Sequence, residues 1–268
     1  MSNRGEGKAC RACHLGPSIV PARRFPAAVP YLEASVDLSP IVTKDEWLAA
    51  RKDLLEQEKE LTRLRDAVSA SRRALPRVRI EKEYVFEAPG ASPTLLDLFQ
   101  GRRQLIVRHF MFDPAWEEGC PGCSMQADSV GHLAHLHNRD TSFVMVARAP
   151  IAKIEAFRQR MGWDLPFVSS HGNDFNHDFH VTTDKGELPG VSSFLREGDE
   201  VFHTNSVYDR GSEVTLNTYN YLEMTLLGRQ EEGLARPWDW WRHHDRYDDE
   251  SAKGPGENWW NGQDKFSS

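Results

Sequence analysis

The stretch Gln104-Leu-Ile-Val-Arg-His-Phe-Met-Phe-Asp-Pro-Ala-Trp-Glu-Glu-Gly-Cys-Pro-Gly-Cys123 decides the fold of this 268-residue chain. Its first half, residues 104–112, is a nearly continuous apolar run, which is typical of a buried central strand. Its second half ends in a Cys-Pro-Gly-Cys motif, and helix-compatible residues follow. Pro121 suits the first position of a helix because its missing N–H would have no partner there. The stretch therefore predicts a strand, a turn and a helix that begins at a dithiol.

The two cysteines of this motif are the main candidates for a reaction centre. A Cys-x-x-Cys pair at a helix start places its first sulfur at the positive end of the helix dipole, which stabilises a thiolate. The spacing also brings the second sulfur within disulfide reach. We expect Cys120 to face solvent and attack, and Cys123, covered by its own helix, to resolve the mixed disulfide. Glu117 and Glu118 would raise the pKa of Cys120 if their carboxylates faced its sulfur.

A long amphipathic helix precedes this stretch. Thr43-Lys44-Asp45-Glu46 matches a capping box and opens about thirty helix-favouring residues. Apolar residues repeat along it every seven positions and form one stripe on a charged helix. The helix is expected either to dock on the domain or to form a homodimer through residues 43–73. The members of the repeat are Trp47, Leu54, Leu61 and Val68.

The remaining periodicity places strands and helices in the order β-α-β-α followed by β-β-α. Strands are predicted at 79–86, 104–112, 142–147, 191–195 and 200–204. Helices are predicted from the cysteines to about 138, at 151–161 and at 214–222. A dithiol after the first strand of a β-α-β unit resembles the thioredoxin fold, so the predicted class is α/β: a thioredoxin-like three-layer fold with a central mixed sheet.

Four segments are predicted on this basis. Residues 1–40 are an irregular leader rich in Gly and Pro, and residues 41–78 contain the long helix. Residues 79–224 form the thioredoxin-like domain. Residues 225–268 are a Trp-rich extension that packs on the domain through aromatic anchors.

Charge and cysteine usage restrict the class of function. The formal net charge of −7 argues against nucleic-acid or anionic-membrane partners, which require clustered Lys and Arg. No apolar run of membrane-spanning length and no signal-peptide pattern is evident. The four cysteines occur as two Cys-x-x-Cys pairs rather than a dispersed disulfide set, so a cytoplasmic location is expected. The first pair, Cys10 and Cys13, is interpreted as two surface thiols in the leader.

Five motifs are spread along the chain: His109-Phe-Met-Phe-Asp-Pro-x-Trp-Glu-Glu-Gly-Cys-Pro-x-Cys-Ser124, Arg148-Ala-Pro150, Arg160-Met-Gly-Trp163, Asp174-Phe-Asn-x-Asp-Phe179 and Phe194-Leu-Arg-x-Gly-Asp-Glu-Val-Phe-His203. Together they resemble a bacterial thioredoxin-like family described as predicted dithiol-disulfide oxidoreductases, across roughly residues 40–248. The resemblance implies a thiol-disulfide oxidoreductase that needs no bound cofactor and has a thiol or disulfide substrate, or a reductant protein, as its partner. Unlike thioredoxin, this chain has Gly119 where a Trp usually precedes the first cysteine, and its Cys-Pro-x-Cys is closer to glutaredoxins.

Two further residues are catalytic candidates. His109 ends the apolar strand and could act as a base toward the resolving thiol, although a core histidine bonded to the backbone fits the same position. Asp113 could be a buried proton acceptor near the dithiol, or a turn former before Pro114.

Four residues are candidates for substrate binding. Trp116 and Pro121 would border the dithiol. Asp174 and Asn176 would line the opposite wall of the pocket, unless they form the solvated face of a strand.

An alternative function is copper or zinc binding. Two thiolates and an imidazole suit Cu(I) or Zn(II), and Cys120, Cys123 and His109 would be the ligands. Other polar residues have simpler interpretations. His132, His135 and His137 are expected on a solvated helix face, Pro189 in an ordinary turn, and His243 and His244 on the surface unless the tail folds over the site.

Overall fold

The computed structural model describes residues 38–248, and residue contacts divide the chain into two units, 1–41 and 42–268. All described helices and strands belong to the second unit. Cys10 and Cys13 lie outside the described residues. Within the described part of the chain, no helix has the length and apolar character needed to cross a membrane.

The first helix, α1 (Lys44–Arg73), begins at the predicted capping box. Thr43 Oγ1 accepts a hydrogen bond from the Glu46 amide at 3.3 Å, and the Glu46 carboxylate accepts one from the Thr43 amide at 2.9 Å. No residue of α1 is buried, and every member of the seven-residue repeat is exposed. The apolar stripe therefore does not dock on the described domain, and a homodimer through residues 43–73 stays a prediction.

A six-stranded mixed sheet forms the centre of the domain, in the order β1-β8-β7-β2-β3-β4. Strand β2 pairs parallel with β3 and antiparallel with β7, which in turn pairs antiparallel with β8. These four strands have the order and directions of the thioredoxin fold, which confirms the predicted class. The strands of this sheet are β1 (Val78–Arg79), β2 (Gln104–His109), β3 (Thr141–Ala147), β4 (Phe167–Ser169), β7 (Gly190–Glu197) and β8 (Glu200–Tyr208), and a separate hairpin contains β5 (Thr182–Thr183) and β6 (Gly186–Glu187).

Two predicted elements have different bounds. The predicted strand at 79–86 pairs with β8 only at Val78 and Arg79, because the chain then leaves the sheet and buries Tyr84 and Phe86 in the core. The helix after the cysteines ends at residue 128 rather than about 138, and Gly131 follows in a region of low helix propensity. The helices after α1 are α2 (Pro121–Asp128), α3 (Ala134–His137), α4 (Ile151–Arg160), α5 (Phe175–Asp178) and α6 (Asn217–Leu222).

Side chains of β2 alternate between two cores, one on each face of the sheet. Ile106 and Phe110 contact the core that contains both cysteines, together with residues of α2 and α4. Leu105 and Val107 contact the other core, together with residues of α5. The dithiol and α5 therefore lie on opposite faces of the sheet.

The chain after α6 returns to the dithiol face. Trp240 and Trp241 pack against a small apolar cluster of Met125, Leu216 and Tyr219. The Trp241 indole N–H donates a hydrogen bond to the Tyr219 hydroxyl at 3.0 Å. This segment therefore lies over α2, the helix that begins at the dithiol.

Candidate active site

The two cysteines are positioned by the first turn of α2. Cys120 is the N-cap residue, and its sulfur accepts a hydrogen bond from the Cys123 amide at 3.1 Å. Pro121 occupies the first helical position, where it removes no helical hydrogen bond. The Cys120 amide donates to the Met111 carbonyl at 3.0 Å, which ties the turn to the end of β2. No disulfide joins Cys120 and Cys123 in this structure.

The prediction that Cys120 faces solvent is wrong. Cys120 and Cys123 are each only 2% exposed. The physical reason lies about 120 residues away in sequence, because the C-terminal segment covers the turn that a thioredoxin-like domain alone would leave open. The sequence of the Cys-Pro-Gly-Cys motif itself contains no pattern that predicts this cover.

Trp241 forms the closest part of this cover. A Cβ atom at Gly122 would lie 2.3 Å from Trp241 Cζ3 and 2.6 Å from Cε3. Only a residue without a side chain therefore allows the indole to rest on the loop between the two cysteines. The glycine of the Cys-Pro-Gly-Cys motif is explained by this contact.

His243 fastens the same segment to the residue before Cys120. Its imidazole is buried, Nδ1 accepts a hydrogen bond from Arg160 Nη2 at 2.9 Å, and Nε2 lies 2.8 Å from the Gly119 carbonyl oxygen. Since Nδ1 is an acceptor, the proton is on Nε2 and is donated to that carbonyl. Burial lowers the pKa of His243, and the charge of Arg160 lowers it further, which favours this neutral form. His243 was expected on the surface unless the tail folds over the site, and this exception applies.

The Glu118 carboxylate does not face the dithiol, although its position two residues before Cys120 would allow this. Its carboxylate binds Arg160 at 2.5 Å and also pairs with Arg246 of the C-terminal segment. Arg160 pairs in addition with Asp245 at 3.1 Å. These charges join the segment to α4, so Glu118 stabilises the cover over the dithiol.

Arg108 is a charged residue close to the two sulfurs, and it was not among the site residues predicted from the sequence. It lies on β2, on the cysteine side of the sheet, and is 3% exposed. Its Nη1 donates to the Gly190 carbonyl at 3.0 Å, whereas Nε and Nη2 have no hydrogen-bond partner among the described residues. A buried guanidinium without a carboxylate is costly unless another negative charge balances it.

Arg108 interacts electrostatically with the dithiol. Burial, and next the hydrogen bond with Cys123, raise the pKa of Cys120 well above its ordinary value. Burial also raises the pKa of Cys123, but the hydrogen bond from Cys120 and the charge of Arg108 outweigh it, so this pKa is lowered. The charge of Arg108 therefore favours the thiolate of Cys123 over that of Cys120.

A chamber of about 220 Å³ opens at the two sulfurs. Most of its surface is apolar, and the C-terminal segment supplies part of its wall. Gln126 and Ser212 add polar groups, and charged side chains of residues 209–231 complete the lining. The apolar part comprises Met111, Pro189, Leu216, Tyr219, Pro237, Trp238 and Trp241.

The structure places His109 away from the dithiol. Its Nε2 lies 2.8 Å from Ser192 Oγ, and its ring stacks against Phe179 in the core on the other face of the sheet. Burial lowers its pKa from 6.5 to about 3, so the ring is neutral. The prediction that His109 acts as a base and the prediction that it is the third metal ligand are both wrong. His109 is a histidine of the core, which was the alternative interpretation. No cluster of three or more His, Cys, Asp or Glu suited to a metal ion occurs in residues 38–248.

Asp113 and Trp116 lie near the site but contact neither sulfur through the described hydrogen bonds. The Asp113 carboxylate pairs with Arg148, which also binds the buried Glu187 at 2.8 Å. The structure therefore places the Asp113 carboxylate in an ion pair with Arg148. Trp116 packs at the edge of the core that contains the cysteines and does not line the chamber. Trp238 and Trp241 occupy the position that was expected for Trp116.

Asp174 and Asn176 do not form the opposite wall of the pocket. Asp174 is exposed and binds Lys82 at 2.8 Å, and Asn176 accepts a hydrogen bond from Ser170 at 2.7 Å. Both belong to the short helix α5 and its N-cap rather than to a strand, on the far face of the sheet. Pro189 lines the chamber although it was assigned to an ordinary turn, and no cis peptide bond occurs in the described residues.

Comparisons with known proteins found a matching family model and several distant solved structures. A family model described as "Bacterial protein of unknown function (DUF899)" matches residues 36–247. No curated protein matches the sequence. Similar solved structures include the bacterioferritin comigratory protein of Xanthomonas campestris, studied for alkyl peroxide reduction, with 15% identity, a TM-score of 0.40 and coverage of 50% of this chain and 86% of that chain.

Two others are equally distant. A peroxiredoxin Q mutant from Xylella fastidiosa has 16% identity and a TM-score of 0.37, covering 52% of this chain and 89% of that one. A Bacteroides thetaiotaomicron protein provisionally identified as a protein disulfide isomerase also has 16% identity and a TM-score of 0.37, covering 56% and 92%. Likeness at this level says nothing about the reaction.

Proposed function

We propose that this chain, which belongs to the DUF899 family of bacterial proteins of unknown function, is a thiol-disulfide oxidoreductase that uses Cys120 and Cys123. The observation that carries the proposal is the pair of cysteines at the start of α2 beside the buried guanidinium of Arg108. This charge favours the thiolate form of the pair, which is the form that attacks a disulfide.

Cys120 is the attacking residue in this proposal. When Cys120 gives up its proton, the charge that develops on its sulfur is stabilised by amide N–H groups of Gly122 and Cys123 at the helix start. Cys120 attacks one sulfur of a substrate disulfide and forms a mixed disulfide. Cys123 then attacks Cys120, the Cys120–Cys123 disulfide closes, and both substrate sulfurs leave as thiols. A cellular dithiol restores the reduced pair.

The test measures the redox state of the pair and traps its intermediate. We expect the wild-type dithiol to be oxidised and reduced reversibly across a series of dithiothreitol potentials, read by alkylation and mass spectrometry. In the Cys123→Ser variant the substrate should remain attached to Cys120, whereas Cys120→Ser should capture much less. The absence of any redox change at residues 120 and 123 would exclude the proposed function, and capture by Cys120→Ser alone would reverse the two roles.

A further inference from the structure

The chamber above the sulfurs differs from the site of an oxidoreductase that acts on proteins. Such an enzyme needs its attacking sulfur on an open surface, where an extended chain can lie against it. Here both sulfurs are 2% exposed, and Trp241 rests on the loop between them. A folded protein or a large peptide cannot reach the dithiol while this cover is in place.

The volume of the chamber limits what it can hold. At about 220 Å³, it is somewhat larger than an apolar cavity of roughly 150 Å³ that holds benzene. By this scale the chamber takes a molecule of about ten non-hydrogen atoms. Oxidised glutathione far exceeds this limit.

The lining favours an uncharged molecule. The walls nearest the sulfurs are mainly apolar and aromatic. The two arginines that border the chamber, Arg210 and Arg229, are both paired with Glu213, at 3.3 Å and 3.5 Å. Arg229 also packs its guanidinium 3.8 Å above the Tyr219 ring. The described lining therefore presents no unpaired cation to an anionic substrate, and Glu231 adds a further carboxylate.

From this geometry we infer that the chamber is a binding site for small neutral organic disulfides, and that the cover of Trp241 on Gly122 excludes glutathione-sized and protein disulfides. The inference rests on the proposed function of the dithiol. In the reaction, one S–S bond of the substrate breaks and one S–S bond forms between Cys120 and Cys123. The two electrons and two protons of the dithiol pass to the substrate, which leaves as two thiols.

The experiment measures the rate at which the reduced protein is oxidised by diethyl disulfide, oxidised glutathione and insulin. Rates are divided by those of free dithiothreitol with the same disulfides, which removes differences in intrinsic reactivity. We expect wild type to favour diethyl disulfide over oxidised glutathione by at least about tenfold after this correction. Gly122→Ala, which displaces the indole, and Trp241→Ala, which removes it, should each reduce this preference to about threefold or less, through faster reaction with the two larger disulfides.

Gly131→Ala is the matched control. A Cβ atom at Gly131 meets nothing within 4 Å, so this variant should keep the preference of wild type. Two independent variants on opposite sides of one contact keep the test informative if either fails to fold. Equal corrected rates in wild type, or an unchanged preference in both cover variants, would overturn the inference and leave the redox function intact. If none of the three disulfides oxidises the dithiol, the proposed function itself fails.

Discussion

The indole of Trp241 occupies the space in which a side chain at Gly122 would begin, since a Cβ atom there would lie 2.3 Å from Cζ3. A residue between the two cysteines is thereby linked to one that follows it by more than a hundred positions. The contact explains both the glycine in the motif and the burial of the sulfurs. It also makes the reactivity of the dithiol depend on the C-terminal segment.

Replacing Arg108 with Met should raise the pKa of Cys123, because the nearby positive charge favours the thiolate. Thiolate absorbance near 240 nm as a function of pH measures this shift. The same variant should be more stable than wild type in its oxidised form, by roughly 1 to 3 kcal/mol, because a disulfide leaves the buried guanidinium without a counter-charge.

The reduction potential follows from the same charge. Arg108 stabilises the reduced pair over the disulfide, so Arg108→Met should lower the potential by about 30 mV for each 1.4 kcal/mol of lost stabilisation. Arg108→Lys retains a positive charge and should recover part of the wild-type value. A potential that is equal in wild type and Arg108→Met would show that the guanidinium does not act on the dithiol.

Replacing His243 with Ala should expose the sulfurs, because its imidazole joins the covering segment to the Gly119 carbonyl and to Arg160. The loss of one such hydrogen bond, about 1 to 1.5 kcal/mol, corresponds to a roughly tenfold higher population of uncovered molecules. The rate of reaction with Ellman's reagent should rise by this factor. His135→Ala is the control, since exposed His135 lies on α3, outside the covering segment, and should have little effect. Similar rates for the two variants would contradict this role of His243.

Replacing Gly119 with Ala should destabilise the fold by about 1 to 3 kcal/mol through overpacking. A Cβ atom there would lie 2.4 Å from Phe110 Cε1 and 3.0 Å from Phe157 Cε1, both in the core beneath the dithiol. Urea denaturation measures the free energy of unfolding, and Gly131→Ala again serves as the control because its added methyl group meets open space. If both alanine variants unfold at the same urea concentration, the core must accommodate the extra atom.

Acid should destabilise the protein through His109. Burial lowers its pKa from 6.5 to about 3, so between these pH values the unfolded chain binds a proton that the folded chain does not. The stability is therefore complete above pH 6.5 and decreases by about 1.4 kcal/mol per pH unit as the pH falls toward 3. In His109→Gln the loss of unfolding free energy between pH 7 and pH 4.5 should be smaller by about 2 to 3 kcal/mol.

The comparison between two pH values removes any constant packing effect of the His109 substitution. His203 is half-buried and its pKa is also lowered by burial, so some acid sensitivity should remain in His109→Gln. Equal pH dependence in His109→Gln and wild type would show that His109 is protonated in the folded state at acid pH.

Much of the fold could be predicted because its signals are local. The apolar run of β2, the capping box of α1 and the alternating hairpin of β7 and β8 each contain their own periodicity or turn chemistry. The predicted strand at 79–86 failed where local alternation competed with burial. Tyr84 and Phe86 gain more by entering the core than by extending a ladder at the sheet edge.

The candidate site was less predictable because its parts are distant in sequence. Asp113 and Asp174 looked reactive in the chain but form ion pairs in the structure. Arg108 resembled one more polar residue within a strand. Two features of the sequence could have identified it. A charged side chain inside a buried parallel strand requires a partner. The alternation of side chains along a strand also places Arg108 on the face of the sheet that carries α2, the helix that begins at the dithiol.

The sequence by itself determined the thioredoxin-like order of elements and the dithiol at the start of α2, because strand periodicity and helix-capping preferences act between near neighbours. Only the tertiary structure decided that the buried charge of Arg108 acts on the dithiol and that Trp241 covers it. Burial and charge balance depend on which surfaces meet after folding, and residues 108, 122 and 241 meet only through the packing of separate elements.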